Sequence, residues 1–428
     1  MDKHAYRQKV AKLTKQLFQN QPEGYAIPND KVTIGWPVYD EKEILSVLDS
    51  ILELRISQGP AVKKFENMLA EYIVRKYAVA VNSGSSANLL ALATLLEAKK
   101  IKPGDEVIVP ATTFSAVAAP ILHLGLIPVY VDVEKNSWNI DPIEIKRAIA
   151  KKTRVIMAVH SFGNPADMQK ITALAKRHKL IVIEDCCEAH GAMIGKRKVG
   201  SFGELATMSF YVAHNITTGE GGVVFTNNKS YVDILRSLRE FGRLPAKITQ
   251  GKRFSFSDNI LKDYDARYIT TRLGYNVRMT DLAASLGIVQ LKKLDQLNAQ
   301  RLKIVDQYQK LFSKYSEYIQ TPRVRKNTMH SFYGYCFLIK KNKKFTRKDL
   351  ALYLENNGIE TRSFFDGCLP DQPAFRNLPH RTLGQLPVSR NIRDTALFIG
   401  CHPALNKNHI NYVRKVFDNF FKIKKELK

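Results

Sequence analysis

The sequence predicts an α/β protein: a mostly parallel sheet covered by helices on both faces, then a smaller unit mixing strands and helices. Two observations predict it. From about residue 40 to 290, short apolar runs alternate with longer segments of helical periodicity. Strand, helix, strand in that rhythm builds a parallel sheet buried on both sides. From about 290 the rhythm stops, and a long helical stretch opens a region of mixed patterns. At 428 residues and 45% hydrophobic, the chain is long enough for two units. We expect an N-terminal helical extension over 1–33, a large unit over 34–290 and a smaller one over 291–428.

The elements follow in chain order. Tyr6, Val10, Leu13 and Leu17 recur at helical spacing, which predicts an amphipathic helix docked on the protein. The apolar runs are YAVAVNS (77–83), DEVIVP (105–110), PVYVDV (128–133), RVIMAVH (154–160), LIVIED (180–185), ELATMSF (204–210) and GGVVFT (221–226). Helical patterns such as NLLALATLLEAKK and ITALAKRHK separate many of them. The stretch AASLGIVQLKKLDQLNAQRLKIVDQYQKLFSKY predicts one long helix at the start of the smaller unit.

Composition removes several classes of function. No apolar stretch is long enough for a bilayer and no signal-peptide core is present, so a cytoplasmic protein with no membrane partner is expected. The five cysteines show no CxxC spacing, which argues against a structural metal or a disulfide framework. The net charge of +26 raises nucleic acid as a partner, but the lysines and arginines are scattered and carry no binding motif. A solvated basic surface, without nucleic acid, is the expectation.

In a parallel sheet, ligands sit beyond the carboxyl ends of the strands. After the first run comes Ser83-Gly84-Ser85-Ser86 and a helix, where small residues free backbone N–H groups to face an anion. Ordinary helix capping would use the same residues. After the second run comes Phe114, an aromatic near that edge. Asp185 ends the fifth run, with Glu188 three residues on; a carboxylate there needs a partner, either backbone or a protonated ring nitrogen. Ser209 lies at the end of the sixth and His214 follows it. An anion cradle, an aromatic plate, a carboxylate and a base are together what pyridoxal phosphate requires.

With these residues in view, the chain resembles the DegT/DnrJ/EryC1/StrS sugar aminotransferase family, from about Ile34 to the C-terminus. The resemblance rests on GPAVKKFE (59–66), NSGSSANLLAL (82–92), GDEVIVPATTF (104–114), HSFGNPADM (160–168), IEDCCEAHGA (183–192), GSFGELATMSFY (200–211), TTGEGG (217–222) and GYNVRMTD (274–281). It implies the aspartate aminotransferase (type I) fold, with a mostly parallel seven-stranded sheet and a smaller α+β C-terminal domain. It also implies a homodimer with shared active sites. Asp185 would then hold the pyridine nitrogen, Phe114 would stack on the ring, and Gly84, Ser85 and Ser209 would bind the phosphate. Asn276 would reach the phosphate in the neighbouring subunit. Glu188 stands where many members have Gln, near the ring hydroxyl. Arg362, Lys63 and Lys64 are candidate contacts to substrate phosphates.

His214 occupies the position of the family's Schiff-base lysine, and an imidazole forms no stable imine with an aldehyde. No lysine lies between Phe202 and Asn228 to replace it. The pattern SFYVAHNIT, the DCCE stretch and GIETRSFFDGCL (358–369) resemble the branch of 3-dehydratases acting on nucleotide-linked 4-keto-6-deoxyhexoses, in dideoxysugar and lipopolysaccharide O-antigen biosynthesis. That resemblance implies work with pyridoxamine phosphate, regenerated from glutamate, and His214 as acid and base. One set within the branch carries an iron–sulfur cluster on four cysteines in a loop that here spans 242–276. The loop contains no cysteine, so no cluster is expected. Asn215 departs from the His-His pair usual in these dehydratases. Two other readings stay open: a catalytically silent sugar-nucleotide binder, and an aminotransferase whose lysine has been replaced.

Overall fold

The structure, a computed structural model, describes residues 3–19, 27–244 and 260–426. Seven strands carry the large sheet: β1 (Tyr77–Val81), β2 (Glu106–Pro110), β3 (Ile127–Val131), β4 (Thr153–Val159), β5 (Ile181–Asp185), β6 (Leu205–Ser209) and β7 (Gly222–Thr226). An eighth, β8 (Arg381–Thr382), extends its edge, so the order is β1-β7-β6-β5-β4-β2-β3-β8. All neighbours run parallel except β7, which is antiparallel to both β1 and β6.

The eighth strand is an addition to the expected seven. It comes from the segment assigned above to the smaller unit and pairs with β3 for two residues. Two residues with no apolar run carry no strand signal. Tertiary pairing recruits them: the Arg381 guanidinium forks onto Glu106 (3.0 and 2.8 Å) and reaches the Ala148 carbonyl at 2.6 Å. Nearby, Asp132 beyond β3 accepts the N–H groups of Val388 and Ser389 (2.9 and 2.8 Å). A carboxylate at that position complements the N-terminus of the helix Pro387–Thr395.

A second, antiparallel sheet has the order Ile319–Gln320, Tyr335–Ile339, Ala396–Ile399, Thr361–Arg362. The expected long helix spans Asp281–Ser313 and starts where the Thr280 hydroxyl accepts the Ala283 N–H (3.2 Å). At 33 residues it is about 50 Å long and serves two cores. Ile288, Leu291 and Leu294 pack under the large sheet, whereas Val305, Tyr308 and Phe312 pack in the core of the second.

The helix Lys3–Gln19 docks otherwise than its periodicity suggests. Arg7 forks onto Asp49 of the helix Glu41–Leu52 (2.9 and 2.8 Å), while Tyr6, Leu13 and Leu17 stay exposed. Charge pairing sets its orientation, and the apolar stripe is left outward. No helix among the described residues is long and apolar enough to cross a membrane.

Burial drives several histidines to the neutral form: His190 is pushed down to about 4, and His330 and His402 to about 3. The unfolded chain binds these protons near pH 6.5 and the folded one does not, so stability is full above 6.5 and falls as the pH drops towards 4. Glu188, whose carboxyl burial raises, works in the opposite direction, but the buried histidines, His214 among them, outnumber it. The free energy of unfolding in urea is therefore expected to be lower at pH 5 than at pH 7, by roughly 1 kcal/mol per histidine for each pH unit below 6.5, with a lower midpoint. Equal midpoints would contradict this account.

Candidate active site

The carboxyl ends of β1, β2, β4, β5 and β6 surround a cavity of about 330 Å³. Seven of the residues singled out from the sequence line it: Gly84, Ser85, Phe114, Asp185, Glu188, Ser209 and His214. A larger groove of about 660 Å³ opens elsewhere between Glu134, Asp167 and Arg323. Its charges neutralise one another, with Arg325 bound to both Glu134 and Asp167, and it holds none of the singled-out residues.

Ser83 caps the helix Gly84–Glu97 by accepting the Ser86 N–H at 3.1 Å. The first-turn N–H groups of Gly84 and Ser85 have no carbonyl four residues back within the helix, which leaves them available to an anion. Gly84 is required by a close approach: a Cβ there would lie 2.5 Å from Cβ of Ser209 and 3.1 Å from Sγ of Cys187. The cradle is thus closed by β6 from the side. Phe114 stands at the mouth of the next helix, 52% exposed, an unusual position for a large ring with no partner. Its neighbour Ser115 donates its N–H to Asp366 at 2.5 Å.

Asp185 is buried and fully engaged. Oδ2 accepts from Asn88 Nδ2 (2.8 Å), Oδ1 from the Cys187 N–H (3.0 Å), and Asn88 Oδ1 accepts from Thr207 Oγ1 (2.6 Å). The half-buried Glu188 accepts only the Phe162 N–H, at 3.1 Å. Burial pushes its carboxyl well up, and the Asp185 charge adds to the effect despite that hydrogen bond. Glu188 is therefore set to be a proton donor where a carboxylate would ordinarily accept.

The His214 ring sits among Tyr333, His190 and Tyr211, with centroids at 5.2, 5.6 and 6.1 Å. Its Nδ1 is buried without a hydrogen-bond partner. Burial first, then the neighbouring His190 ring and the fixed positive charge of Arg301, hold the imidazole well below its usual range, so it is neutral at physiological pH.

Four singled-out residues are not brought to the cavity. Lys63 and Lys64 are exposed on the helix Pro60–Ile73, whose inward positions belong to Val62, Phe65 and Glu66. Arg362 lies on an edge strand and binds Glu360. Asn276 lies outside the cavity of its own chain and accepts from Arg278 Nε at 3.3 Å. Conversely, Asn88, Tyr333 and Phe365 line the cavity and were not singled out. Asn88 falls one helical turn after Gly84, a spacing that places it on the same face. Tyr333 and Phe365 arrive from the far part of the chain and have no local signal.

His160, Glu184 and Cys186 lie close enough together to suggest a cation site. Both imidazole nitrogens are already committed. Nδ1 accepts the Ala166 N–H (3.1 Å), so Nε2 carries the proton that meets Glu184 at 3.2 Å.

Fold and cavity together define an α/β protein of the aminotransferase type I architecture. The chain belongs to the DegT/DnrJ/EryC1/StrS aminotransferase family, whose model matches residues 38–418. It is 33% identical over 427 residues to a lipopolysaccharide biosynthesis protein, RfbH, of Salmonella typhimurium, covering 97% of this chain and 98% of the relative. It is 36% identical over 386 residues to the dTDP-4-dehydro-2,6-dideoxy-D-glucose 3-dehydratase of Saccharopolyspora spinosa, covering 88% and 83%. The solved structure of the E. coli GDP-4-keto-6-deoxy-D-mannose-3-dehydratase with bound hydrated PLP superposes with a TM-score of 0.81 at 29% identity, covering 90% of this chain and 99% of that one.

Replacing Asn88 by alanine removes the donor to Asp185 and the acceptor of Thr207 at once. Urea unfolding is expected to show a loss of about 2 kcal/mol, the cost of leaving buried polar groups unmatched. A change below about 0.5 kcal/mol would mean that Asp185 finds another partner.

Proposed function

We propose that this chain is a 3-dehydratase of a nucleotide-linked 4-keto-6-deoxyhexose, working with pyridoxal and pyridoxamine phosphate in dideoxysugar biosynthesis. The observation that carries the reading is His214: a neutral imidazole lines the cavity at the place where family aminotransferases have their lysine, and no lysine among the described residues lines it. The dehydratase names of two of the relatives above support the same reading.

The residues fit the cofactor. The N–H groups of Gly84 and Ser85 and the Ser209 hydroxyl, which the missing Cβ of Gly84 allows to come close together, suit a phosphate. Asp185, already oriented by Asn88, suits a protonated pyridine nitrogen, and exposed Phe114 offers a face for stacking. Bound there, the cofactor would supply an amine to join the sugar ketone and a ring that accepts electrons. Glu188 in its protonated form would donate to the ring hydroxyl, as a glutamine amide does.

With Nδ1 buried, Nε2 is the nitrogen of His214 left for the cavity. It takes the proton whose removal drives elimination and hands it to the departing C3 hydroxyl, which leaves as water. Tyr333 and Phe365 wall the cavity with apolar surface and limit the access of bulk water. Glutamate is proposed to restore the amine form.

A homodimer with shared sites belongs to the same proposal. Leu273 and Tyr268, 93% and 58% exposed, stand near Asn276 in sequence and are surface that a second copy would cover. No iron–sulfur cluster is proposed, because cluster binding takes four thiolates and the 242–276 loop has none. Part of that loop, 245–259, lies outside the described residues.

The test is mass spectrometry of GDP-, CDP- and dTDP-4-keto-6-deoxyhexoses incubated with the protein, pyridoxal phosphate and glutamate, without a reductase. A product one oxygen lighter, with ammonia released, is expected. An amine in place of the ketone would identify an aminotransferase, and no change with any sugar would favour a silent binder. His214→Phe is expected to lower turnover at least about 100-fold while cofactor binding, followed by absorbance, changes little. Retained turnover would remove His214 from the chemistry.

A further inference from the structure

Beside His214 lies a second buried imidazole that the proposed reaction does not use. His190 is 1% exposed and does not line the cavity, and its ring centroid is 5.6 Å from that of His214. Both of its ring nitrogens are buried without hydrogen-bond partners, as is Nδ1 of His214. The two backbones are tied together by amides. Asn298 Nδ2 donates to the His190 carbonyl (2.9 Å), and Asn215 Nδ2 donates to Asn298 Oδ1 (2.8 Å) and to the Ser331 carbonyl (2.9 Å). Asn215 adjoins His214, so these bonds link the two chain segments that carry the rings.

A neutral imidazole carries one N–H and one lone pair, and two such rings in a dry site are complementary. The centroid separation allows a ring-to-ring N–H···N hydrogen bond once the rings turn towards each other. The backbones of Ser209 and Cys187 adjoin the His190 ring and offer an acceptor for its remaining N–H. Arg301 is also buried, at 2% exposure, with Nη1 on the Tyr333 carbonyl at 3.0 Å and no ion-paired carboxylate among the described residues. Its fixed charge disfavours an additional proton on either ring. The other titratable groups around the pair are Tyr333, Tyr211, Glu220, Asp185, Cys187 and Glu188.

We infer that His190 is a positioning residue for His214: it accepts a hydrogen bond from His214 Nδ1–H, which leaves Nε2 of His214 bare towards the cavity. The inference rests on the acid–base role given to His214 above. It gives the base a single tautomer with no carboxylate behind it. The second imidazole does the orienting that a carboxylate often does, without adding negative charge beside Glu188 and Asp185.

The test is nitrogen NMR of histidine-labelled, cofactor-loaded protein, with the His214 signals assigned by their loss in His214→Asn. Wild type is expected to show His214 protonated at Nδ1 and bare at Nε2 near pH 7.5. In His190→Phe the signals should shift towards the opposite tautomer. With an active substrate, kcat should fall about tenfold or more while KM changes about twofold or less. His190→Gln, whose carbonyl oxygen can accept from Nδ1–H, should recover most of that loss. An unchanged His214 spectrum in His190→Phe overturns the inference. If that variant does not fold, the wild-type spectrum decides, because a His214 protonated at Nε2 overturns it equally. The tautomer is read without turnover, so failure of the dehydratase reading and failure of this one are separable.

Discussion

The end of β5 imposes the constraint around which the site is built. Two carboxylates follow each other there, Glu184 and Asp185, and strand geometry points them to opposite faces of the sheet. Each must find partners on its own face, since an uncompensated buried charge is costly. Glu184 accepts the N–H groups of Gly200, Phe202 and Gly203 (2.8, 2.6 and 2.6 Å) and meets His160. Burial alone would push this carboxyl up, but His160 and the N–H groups outweigh it and hold it below its usual range. That face anchors the chain leading into β6. Asp185, on the other face, takes Asn88 and with it the helix Gly84–Glu97, whose first turn lines the cavity.

The same end of the sheet is closed from the far part of the chain by aromatic packing. Phe162, in the turn after β4, stacks on Phe364 at 4.4 Å and packs against Phe365 and Phe398 at 4.8 Å each. It adopts a left-handed conformation (φ 54°), and its N–H is the one that holds Glu188. One strained residue thus joins the second sheet to a cavity carboxyl. The long helix adds a rigid link, because its two halves belong to different cores and Arg301 and Asn298 project from its middle.

Chemically, the cavity inverts two ordinary side chains. Glu188 is held as an acid and His214 as a base, both chiefly by loss of solvent. A neutral imidazole with no tether suits a reaction in which the protein moves protons and leaves carbon–nitrogen chemistry to a bound group. A lysine amine in the same dry position would compete for that chemistry.

The sequence alone determined the strand–helix rhythm of the large sheet, the long helix and the small-residue turn at Ser83–Ser85, since periodicity and turn chemistry are local properties. It also placed Asp185 and Ser209 at the ends of apolar runs and His214 just past one, where a parallel sheet puts its ligands. Only the tertiary structure decided that β7 runs antiparallel and that Arg381–Thr382 joins β3. It alone separated the cavity residues from Lys63, Lys64 and Arg362, because exposure and charge pairing depend on what packs alongside. Tyr333, Phe365 and His190 could not be picked out beforehand. Their importance lies in proximity to His214, and proximity between distant segments arises only when the cores close.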